Sequence, residues 1–209
     1  MAGGTGGRLI TIEGLDGAGK STLALGLLGA LGERGVRVEL LREPGGVALS
    51  ERVRALVMDP ALTVDPRAEA LLYAAARAQL VRERLHPLLD AGVFVLLDRF
   101  IDSSLAYQGA GRELGIEPVR AINLFATGGL APDRTLLLCI SPAEGRARLD
   151  VRAHEPDRLE LEDEPFFARI AAAYERLARD EPERVRVLDA SLPPHRVLAD
   201  ALLVIEDLL

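Results

Sequence analysis

Short apolar runs alternate with longer amphipathic segments along this chain. The runs are rich in Val, Ile and Leu with little polar alternation, which is typical of strands that helices cover on both faces of a sheet. Apolar residues at i, i+3 and i+4 in the intervening segments indicate helices. The predicted strands are 8–13, 37–41, 93–98, 134–140 and 185–188, and the predicted helices are 23–31, 47–58, 68–89, 113–126, 142–151, 164–179 and 193–209.

This alternation predicts an α/β fold with a doubly wound, mostly parallel sheet of about five strands flanked by helices. In such sheets ligands bind outside the carboxyl ends of the strands. The 209 residues contain no internal repeat, linker or low-complexity tract, so we expect a single domain spanning 1–209.

Composition excludes several classes of protein. A net charge of −7 argues against a nucleic-acid polymer as partner, because proteins that bind phosphate backbones usually carry a basic face. No apolar run is long enough to span a membrane, and the stretch 1–7, interpreted as a flexible leader, lacks the apolar core of a signal peptide. We therefore expect a cytoplasmic protein. The single cysteine, Cys139, permits neither an internal disulfide nor a Cys-based zinc site, and no structural metal is expected.

A glycine-rich loop joins the first predicted strand to the first predicted helix. It fits the P-loop pattern G-x-x-x-x-G-K-[ST], in which backbone N–H groups surround phosphate oxygens, Lys20 reaches the β- and γ-phosphates and the Ser21 hydroxyl ligates Mg²⁺. Lys20 is the only lysine among 25 Lys and Arg residues, so the compact ammonium occurs only where phosphates are expected. The predicted ATP-binding residues are Gly14, Leu15, Asp16, Gly17, Ala18, Gly19, Lys20, Ser21 and Thr22.

The third predicted strand ends in Asp98, which is followed by Arg99. In a P-loop protein a carboxylate at such a strand end can hold Mg²⁺ opposite the P-loop hydroxyl, and the arginine suits a second phosphate group. The alternative is a strand-end ion pair without chemistry. The predicted metal ligands are therefore Ser21 and Asp98.

Three further segments carry candidate chemistry. Residues 42–46, Arg-Glu-Pro-Gly-Gly, form a tight turn, and the Glu43–Pro44 bond is a candidate for a cis peptide. Residues 103–112 place Ser, Tyr and Gln before a glycine-rich turn, which suits a nucleobase; a polar loop without function is the alternative. Residues 145–160 are dense in charge and are interpreted as a short lid over bound phosphates, although charge runs are usually solvated faces.

With these motifs in place, nearly the whole chain resembles the bacterial thymidylate kinases, which are nucleoside monophosphate kinases of P-loop fold. The resemblance rests on residues 13–22, 42–46, 73–77 with Gln79, 98–99, 106–109 and 157–158. Many NTPases share the P-loop, but Arg-Glu-Pro-Gly-Gly and Ala-Tyr-Gln-Gly in this order are far more specific. The resemblance implies ATP and dTMP as substrates, Mg²⁺ as cofactor and a homodimer packed through helices.

The resemblance also implies roles at the sugar and phosphate of dTMP. Asp16 would accept a hydrogen bond from the deoxyribose 3′-OH. Arg99, assisted by Arg54, would hold the phosphate. Tyr107 would lie against the 2′ carbon and disfavour a ribose hydroxyl.

At the base, the resemblance implies that Tyr73 stacks on thymine and that Arg77 donates to it. Ser104 and Gln108 would complete the pocket. Glu43 joins the implied substrate-binding set with its contact left open between the sugar, Mg²⁺ and neighbouring arginines.

Members of the resembled family take a catalytic arginine from the P-loop or from the lid. This chain has Gly17 at the P-loop position, which assigns the task to the lid, with Arg152 and Arg158 as candidates ahead of Arg146 and Arg148. A positioned arginine is worth on the order of 10³–10⁵ in rate. The predicted catalytic residues are Lys20, Arg99, Arg152, Arg158 and Asp16.

Two other functions use similar motifs. A deoxynucleoside kinase would need a general base for a 5′-hydroxyl and no phosphate clamp. A nucleotide-dependent switch or assembly ATPase would release phosphate without an acceptor. The Asn-Lys-x-Asp motif of Ras-like GTPases is missing from the sequence, because Asn123 is its only asparagine and Lys20 its only lysine. Phosphoryl transfer from ATP to dTMP is therefore the leading expectation.

Overall fold

Five parallel strands form the central layer of the molecule. The computed structural model describes residues 6–151 and 156–209. Within this part of the chain the sheet order is β2-β3-β1-β4-β5, which confirms the predicted doubly wound topology. Each strand lies within two residues of its predicted bounds. The strands are β1 (Arg8–Gly14), β2 (Val38–Arg42), β3 (Phe94–Asp98), β4 (Arg134–Cys139) and β5 (Val185–Asp189).

Helices cover both faces of this sheet. One face packs against the first and last helices through residues such as Leu27 and Ala201, and the other against the helices between β2 and β3 and the one before β5, through residues such as Leu80 and Ile170. None of the helices in the described ranges has the length and apolar character needed to cross a membrane. They are α1 (Lys20–Glu33), α2 (Ala48–Met58), α3 (Pro66–Leu80), α4 (His86–Asp90), α5 (Ile101–Ser104), α6 (Ile116–Thr127), α7 (Pro142–Asp150), α8 (Glu164–Asp180) and α9 (Pro194–Ile205).

Two helix predictions need correction. The predicted helix 68–89 is a run from Pro66 to Asp90 in which a π-helical turn, Val81–Leu85, joins α3 to α4. The predicted helix 113–126 begins only at Ile116, and the polar segment before it is helical as α5 and a π-helix, Leu105–Gly111. Local apolar spacing did not reveal this helix because several of its buried positions are polar and pair with buried groups on other elements.

Side-chain caps fix the helices on either side of residues 151–163. Ser141 accepts a hydrogen bond from the Glu144 amide, and the Glu144 side chain accepts from the Ser141 amide, which forms a capping box at the start of α7. Asp163 accepts from the Phe166 amide at the start of α8. The predicted lid therefore begins within a capped helix, and its residues 152–155 lie outside the described part of the chain.

The strand register brings three loops to one edge of the sheet. Asp98 at the end of β3 is level with Ile12 on β1 and with Arg42 on β2. The P-loop, the Arg-Glu-Pro turn and the segment after β3 consequently leave the sheet side by side, which is where α/β sheets bind ligands.

Candidate active site

A single cavity of about 650 Å³ collects the side chains that leave this edge of the sheet. The P-loop, the turn after β2, the end of β3, α2, α3 and residues 101–111 all contribute to its wall. All nine predicted substrate-binding residues line it, together with both predicted metal ligands and the P-loop lysine. These residues are Asp16, Lys20, Ser21, Glu43, Arg54, Tyr73, Arg77, Asp98, Arg99, Ser104, Tyr107 and Gln108.

Lys20 opens α1 and folds back over its own loop. Its Nζ atom donates to the carbonyls of Gly14 at 3.2 Å and Leu15 at 2.9 Å, and it lies 3.5 Å from Asp16 Oδ1. Burial and the adjacent Arg99 charge lower the pKa of Lys20. The ammonium is thus held at the centre of the loop, whereas Thr22 is exposed on the first turn of α1 and does not line the cavity.

Ser21 and Asp98 meet across the mouth of the P-loop. Ser21 Oγ donates to Asp98 Oδ2 at 3.2 Å, and both residues line the cavity. Hydroxyl and carboxylate oxygens are ligands that Mg²⁺ prefers, and two neighbouring ligands of an octahedral Mg²⁺ lie about 3 Å apart. The residues present therefore fit this ion.

Arg99 and Asp16 form the central ion pair of the cavity. Arg99 Nη2 contacts Asp16 Oδ1 and also donates to the Tyr107 hydroxyl at 3.2 Å, while that hydroxyl donates to Asp16 Oδ2 at 3.1 Å. Burial alone raises the pKa of Asp16, but the charges of Arg99 and Lys20 outweigh it and hold the pKa below its ordinary value. Asp16 is therefore an ionised acceptor next to a guanidinium that faces the cavity.

Glu13, which the sequence analysis did not single out, stabilises the position of Arg99 by accepting hydrogen bonds from the residues around it. Arg99 has a φ of 71°, a left-handed conformation that costs a non-glycine residue of order 1–3 kcal/mol. The next amide, Phe100 N–H, donates to Glu13 Oε1 at 2.7 Å, and Ser103, which accepts from Arg99 Nη1 at 3.0 Å, donates to Glu13 Oε2. Burial, with a smaller contribution from Asp102, raises the pKa of Glu13 to about 7.

Arg77 is buried and has each of its N–H donors directed at a protein acceptor. Its Nε and Nη2 atoms lie 2.7 and 2.6 Å from Glu43 Oε2, and Nη2 also donates to the Phe100 carbonyl at 2.9 Å. Its Nη1 atom donates to Ser104 Oγ at 2.8 Å and to Asn123 Oδ1. The contact of Glu43 is thus with Arg77, and burial raises the pKa of this carboxyl although the Arg77 charge opposes the shift.

Glu69 on α3 is a second carboxylate that the sequence analysis missed. It is fully buried and accepts hydrogen bonds from Gln108 Nε2 at 2.8 Å and from Arg158 Nη2 at 2.6 Å. Arg112 completes the set, with Nη2 at 3.1 Å from Glu69 Oε2. One carboxylate consequently connects the cavity wall, the segment after the π-helix and the end of the predicted lid.

Arg54 and Tyr73 complete the wall opposite the P-loop. Arg54 Nη1 donates to the Pro44 carbonyl at 3.1 Å, and the Glu43–Pro44 peptide is cis, as the sequence suggested. Tyr73 is half-buried on α3, and burial, assisted by the Glu69 charge, raises the pKa of its hydroxyl. Its ring is available to the cavity as a flat apolar surface.

The described lid arginines are bonded to groups outside the cavity. Arg146 donates to the Glu162 carbonyl at 3.2 Å and Arg148 to the Ala190 carbonyl at 2.9 Å, and Arg158 donates from Nε to the Val57 carbonyl at 2.9 Å. None of the three lines the cavity. The other candidate, Arg152, lies outside the described residues.

The P-loop and α7 approach each other closely at a pair of glycines, Gly17 and Gly145. A Cβ atom added to Gly17 would lie 2.2 Å from the Gly145 carbonyl oxygen, and Gly17 has a φ of 81°. Any side chain at position 17 would therefore displace the start of the lid.

These features define a class of protein. A P-loop with its lysine, the Ser21–Asp98 pair that fits Mg²⁺ and a separate arginine on the same cavity are typical of P-loop phosphotransferases, which bring two phosphate groups together.

Comparison with known proteins narrows the class to one family. Residues 12–201 match the family model of the thymidylate kinases. The chain is 48% identical to the thymidylate kinase of Deinococcus radiodurans over 194 residues, which cover 93% of this chain and 94% of that one. It is 45% identical to the thymidylate kinase of Bacillus licheniformis, with 97% of each chain covered. The crystal structure of the Ehrlichia chaffeensis thymidylate kinase superposes with a TM-score of 0.80 at 29% identity, covering 96% of this chain and 99% of that one. The chain therefore belongs to the thymidylate kinase family.

Proposed function

We propose that this chain transfers the γ-phosphoryl group of ATP to dTMP, giving ADP and dTDP. A phosphate oxygen of dTMP forms the new P–O bond to the γ-phosphorus, and the bond to the β-phosphate oxygen breaks. The observation that carries this proposal is the Arg99–Asp16 pair, which lies next to Lys20 and on the same cavity as the base pocket residues. Such a transfer depends on positioning and charge neutralisation more than on proton transfer.

Each side of the reaction has its own residues. The P-loop amides and Lys20 bind the phosphates of ATP, and Arg99 with Arg54 binds the phosphate of dTMP. Asp16 accepts from the 3′-OH, and Tyr107 occupies the space beside the 2′ carbon. Ser21 and Asp98 would hold Mg²⁺, directly or through water, and the ion would neutralise charge on the β- and γ-phosphates.

The base lies on the opposite wall of the cavity. Tyr73 stacks on thymine, and Ser104 and Gln108 face its polar edge. Arg77 donates to the base only by exchanging one of its protein acceptors, Glu43, Ser104, Asn123 or the Phe100 carbonyl. A lid arginine, Arg152 or Arg158, completes the charge neutralisation during transfer. Because Arg158 is bonded to Glu69 and to the Val57 carbonyl, it reaches a phosphate only by exchanging these partners.

Replacement of Arg99 tests the phosphate site. We expect Arg99→Ala to lower kcat/KM for dTMP by about 10³-fold, because a charge-assisted bidentate contact is lost, while the Kd for ATP changes little. Arg99→Lys, which keeps the charge without the planar fork, should recover part of the loss. Unchanged dTMP turnover in Arg99→Ala would show that the acceptor phosphate binds elsewhere, and higher activity on thymidine than on dTMP would indicate a deoxynucleoside kinase.

We also propose that the chain forms a homodimer. Leu71 on α3 and Leu124 and Phe125 on α6 are 57, 62 and 91% exposed, and α3 and α6 pack against each other. Large exposed apolar side chains on two helices that pack together are typical of a surface that binds another protein. Light scattering should give about twice the chain mass of 22.5 kDa, and Phe125→Asp should give the single mass. A wild-type mass of one chain would refute the dimer.

The product of the reaction, dTDP, is a precursor for dTTP synthesis. We propose that the enzyme acts in the cytoplasm.

A further inference from the structure

The base pocket contains two neutral polar side chains whose hydrogen-bonding direction is set by buried ions. Ser104 and Gln108 line the cavity, and each is bonded on its far side to a charged residue that can act in only one way. An ionised carboxylate only accepts hydrogen bonds, and a guanidinium only donates them. The charged residues therefore decide which neutral group presents a donor to the cavity and which an acceptor.

Glu69 determines the orientation of the Gln108 amide. Glu69 is fully buried, and Arg112 and Arg158 balance its charge. Since it accepts a 2.8 Å hydrogen bond from Gln108 Nε2, the amide nitrogen must face Glu69 and the amide oxygen must point away from it. No residue in the described ranges donates to Gln108 Oε1, so the oxygen remains available as an acceptor in a residue that lines the cavity.

Arg77 imposes the opposite direction on Ser104. Arg77 Nη1 donates to Ser104 Oγ at 2.8 Å, so the hydroxyl hydrogen is left to point elsewhere. The remaining donors of Arg77 are taken by Glu43, Asn123 and the Phe100 carbonyl. Ser104 is therefore the donor, and Gln108 the acceptor, that this wall offers to a base.

We propose that Glu69 is a specificity-determining positioning residue, which makes the base pocket complementary to a pyrimidine with an N3–H donor next to a C4 carbonyl. Thymine and uracil have this edge, whereas cytosine presents an N3 acceptor next to a C4 amino donor. A cytosine in the same place would set acceptor against acceptor and donor against donor. The inference rests on the proposed base pocket and adds a residue that does not touch the substrate.

Glu69→Gln tests this assignment because an amide at position 69 can donate to Gln108 Oε1 and let the Gln108 amide turn over. We expect kcat/KM for dTMP to fall roughly 10- to 100-fold through KM, since a hydrogen bond is replaced by two opposed donors. The same fall is expected for dUMP, whose polar edge is identical, so the dTMP/dUMP ratio stays constant. The ratio of kcat/KM for dTMP to that for dCMP should fall by about the same factor, because binding of dCMP gains nothing from the hydrogen-bond acceptor Gln108 Oε1.

Two further variants separate orientation from stability. Arg112→Gln removes an ion-pair partner of Glu69 but leaves the carboxylate facing Gln108, and it should keep the wild-type dTMP/dCMP ratio. The double variant E69Q/Q108E exchanges the two groups and again leaves an oxygen facing the cavity, so it should recover the ratio that E69Q loses. A merely structural role for Glu69 predicts no such recovery.

The outcomes distinguish this inference from the proposed function. If wild-type enzyme turns over dTMP and Gln108→Leu raises the KM, but folded E69Q keeps the wild-type dTMP/dCMP ratio, only the inference on Glu69 fails. If Gln108→Leu leaves the KM for dTMP unchanged, the base pocket itself is misplaced. Should E69Q not fold, the double variant E69Q/Q108E decides: a wild-type dTMP/dCMP ratio of kcat/KM supports the inference, and a lowered ratio overturns it.

Discussion

The acceptor side of the cavity and the lid hold their arginines in different ways. Arg77 is buried and Arg99 is half-buried, and they are bonded to the carboxylates of Glu43 and Asp16, within networks of further hydrogen bonds. Arg146, by contrast, is exposed and donates to one backbone carbonyl. Breaking a buried ion pair leaves an uncompensated charge and costs about 3–5 kcal/mol, whereas exchanging an ordinary hydrogen bond costs about 1 kcal/mol. The site therefore has a preformed half for the acceptor nucleotide and a second half, the lid, in which exposed Arg146 can be recruited at low cost. Arg158 must first leave the buried Glu69 carboxylate, which lies 2.6 Å from its Nη2 atom.

Replacing the lid arginines tests the recruitable half and carries the largest expected effect. Alanine at Arg146, Arg148, Arg152 and Arg158 in turn should reveal one variant, at Arg152 or Arg158, whose kcat falls by on the order of 10³-fold or more. The KM for dTMP should change little if that arginine acts only during transfer. Single-turnover kinetics give the comparison, and four variants that all retain kcat within about tenfold would remove the catalytic role from the lid.

Replacing Arg77 tests the preformed half through stability. Arg77→Leu should lower the free energy of unfolding by about 3–5 kcal/mol, because the Glu43 carboxylate loses its counter-ion. The exposed control Arg146→Leu should change it by less than about 0.5 kcal/mol. Urea titration measures both. Removing the stranded carboxylate as well, in E43L/R77L, should restore part of the loss; equal effects of Arg77→Leu and Arg146→Leu would erase the distinction between the two halves.

Glu13 makes the preformed half sensitive to pH. The folded pKa of about 7 is higher than the ordinary 4.5, so the folded protein binds more protons than the unfolded chain between these values. Stability contributed by this group is complete below about pH 4.5 and is lost as the pH rises through 7. Relative to Glu13→Gln, the wild type should lose on the order of 3 kcal/mol of unfolding free energy across this window. If the free energies of unfolding of the wild type and of Glu13→Gln differed by a constant amount from pH 4.5 to 8, a raised pKa of Glu13 would be contradicted.

The contact between Gly17 and Gly145 joins the two halves. Gly17→Ala should destabilise the protein by about 1–3 kcal/mol through strain at positive φ together with the clash on the Gly145 carbonyl. Gly19→Ala is the matched control, because Gly19 has a φ of 95° and open space around its added Cβ. Calorimetric unfolding should show a smaller loss for Gly19→Ala. Equal losses of unfolding free energy in the two variants would mean that backbone strain alone acts at position 17 and that α7 moves away from the added methyl group without cost.

The sequence was informative wherever local spacing carries the signal. The five strands, the P-loop and the residues that follow each strand could be predicted because apolar runs and loop motifs are contiguous. The helical segment 101–111 was missed because Ser103, Ser104 and Gln108 occupy buried positions on it, and their partners come from distant parts of the chain. Glu13 and Glu69 were missed for the same reason: a single acidic residue shows its role only when the arginine or amide it meets is known. In hindsight, acids inside apolar segments, such as Glu13 at the end of β1, were the available signal.

ADP release in a coupled assay with ATP and Mg²⁺ shows whether the preformed half is a dTMP site. The acceptors are dTMP, dUMP, dCMP, UMP and thymidine, with a reaction lacking acceptor as the blank. We predict fast ADP release with dTMP, slower release with dUMP, and little with dCMP, UMP, thymidine or no acceptor. Equal ADP release with and without dTMP would contradict this assignment. It would mean that ATP is hydrolysed without an acceptor and that the preformed half does not bind dTMP as a substrate.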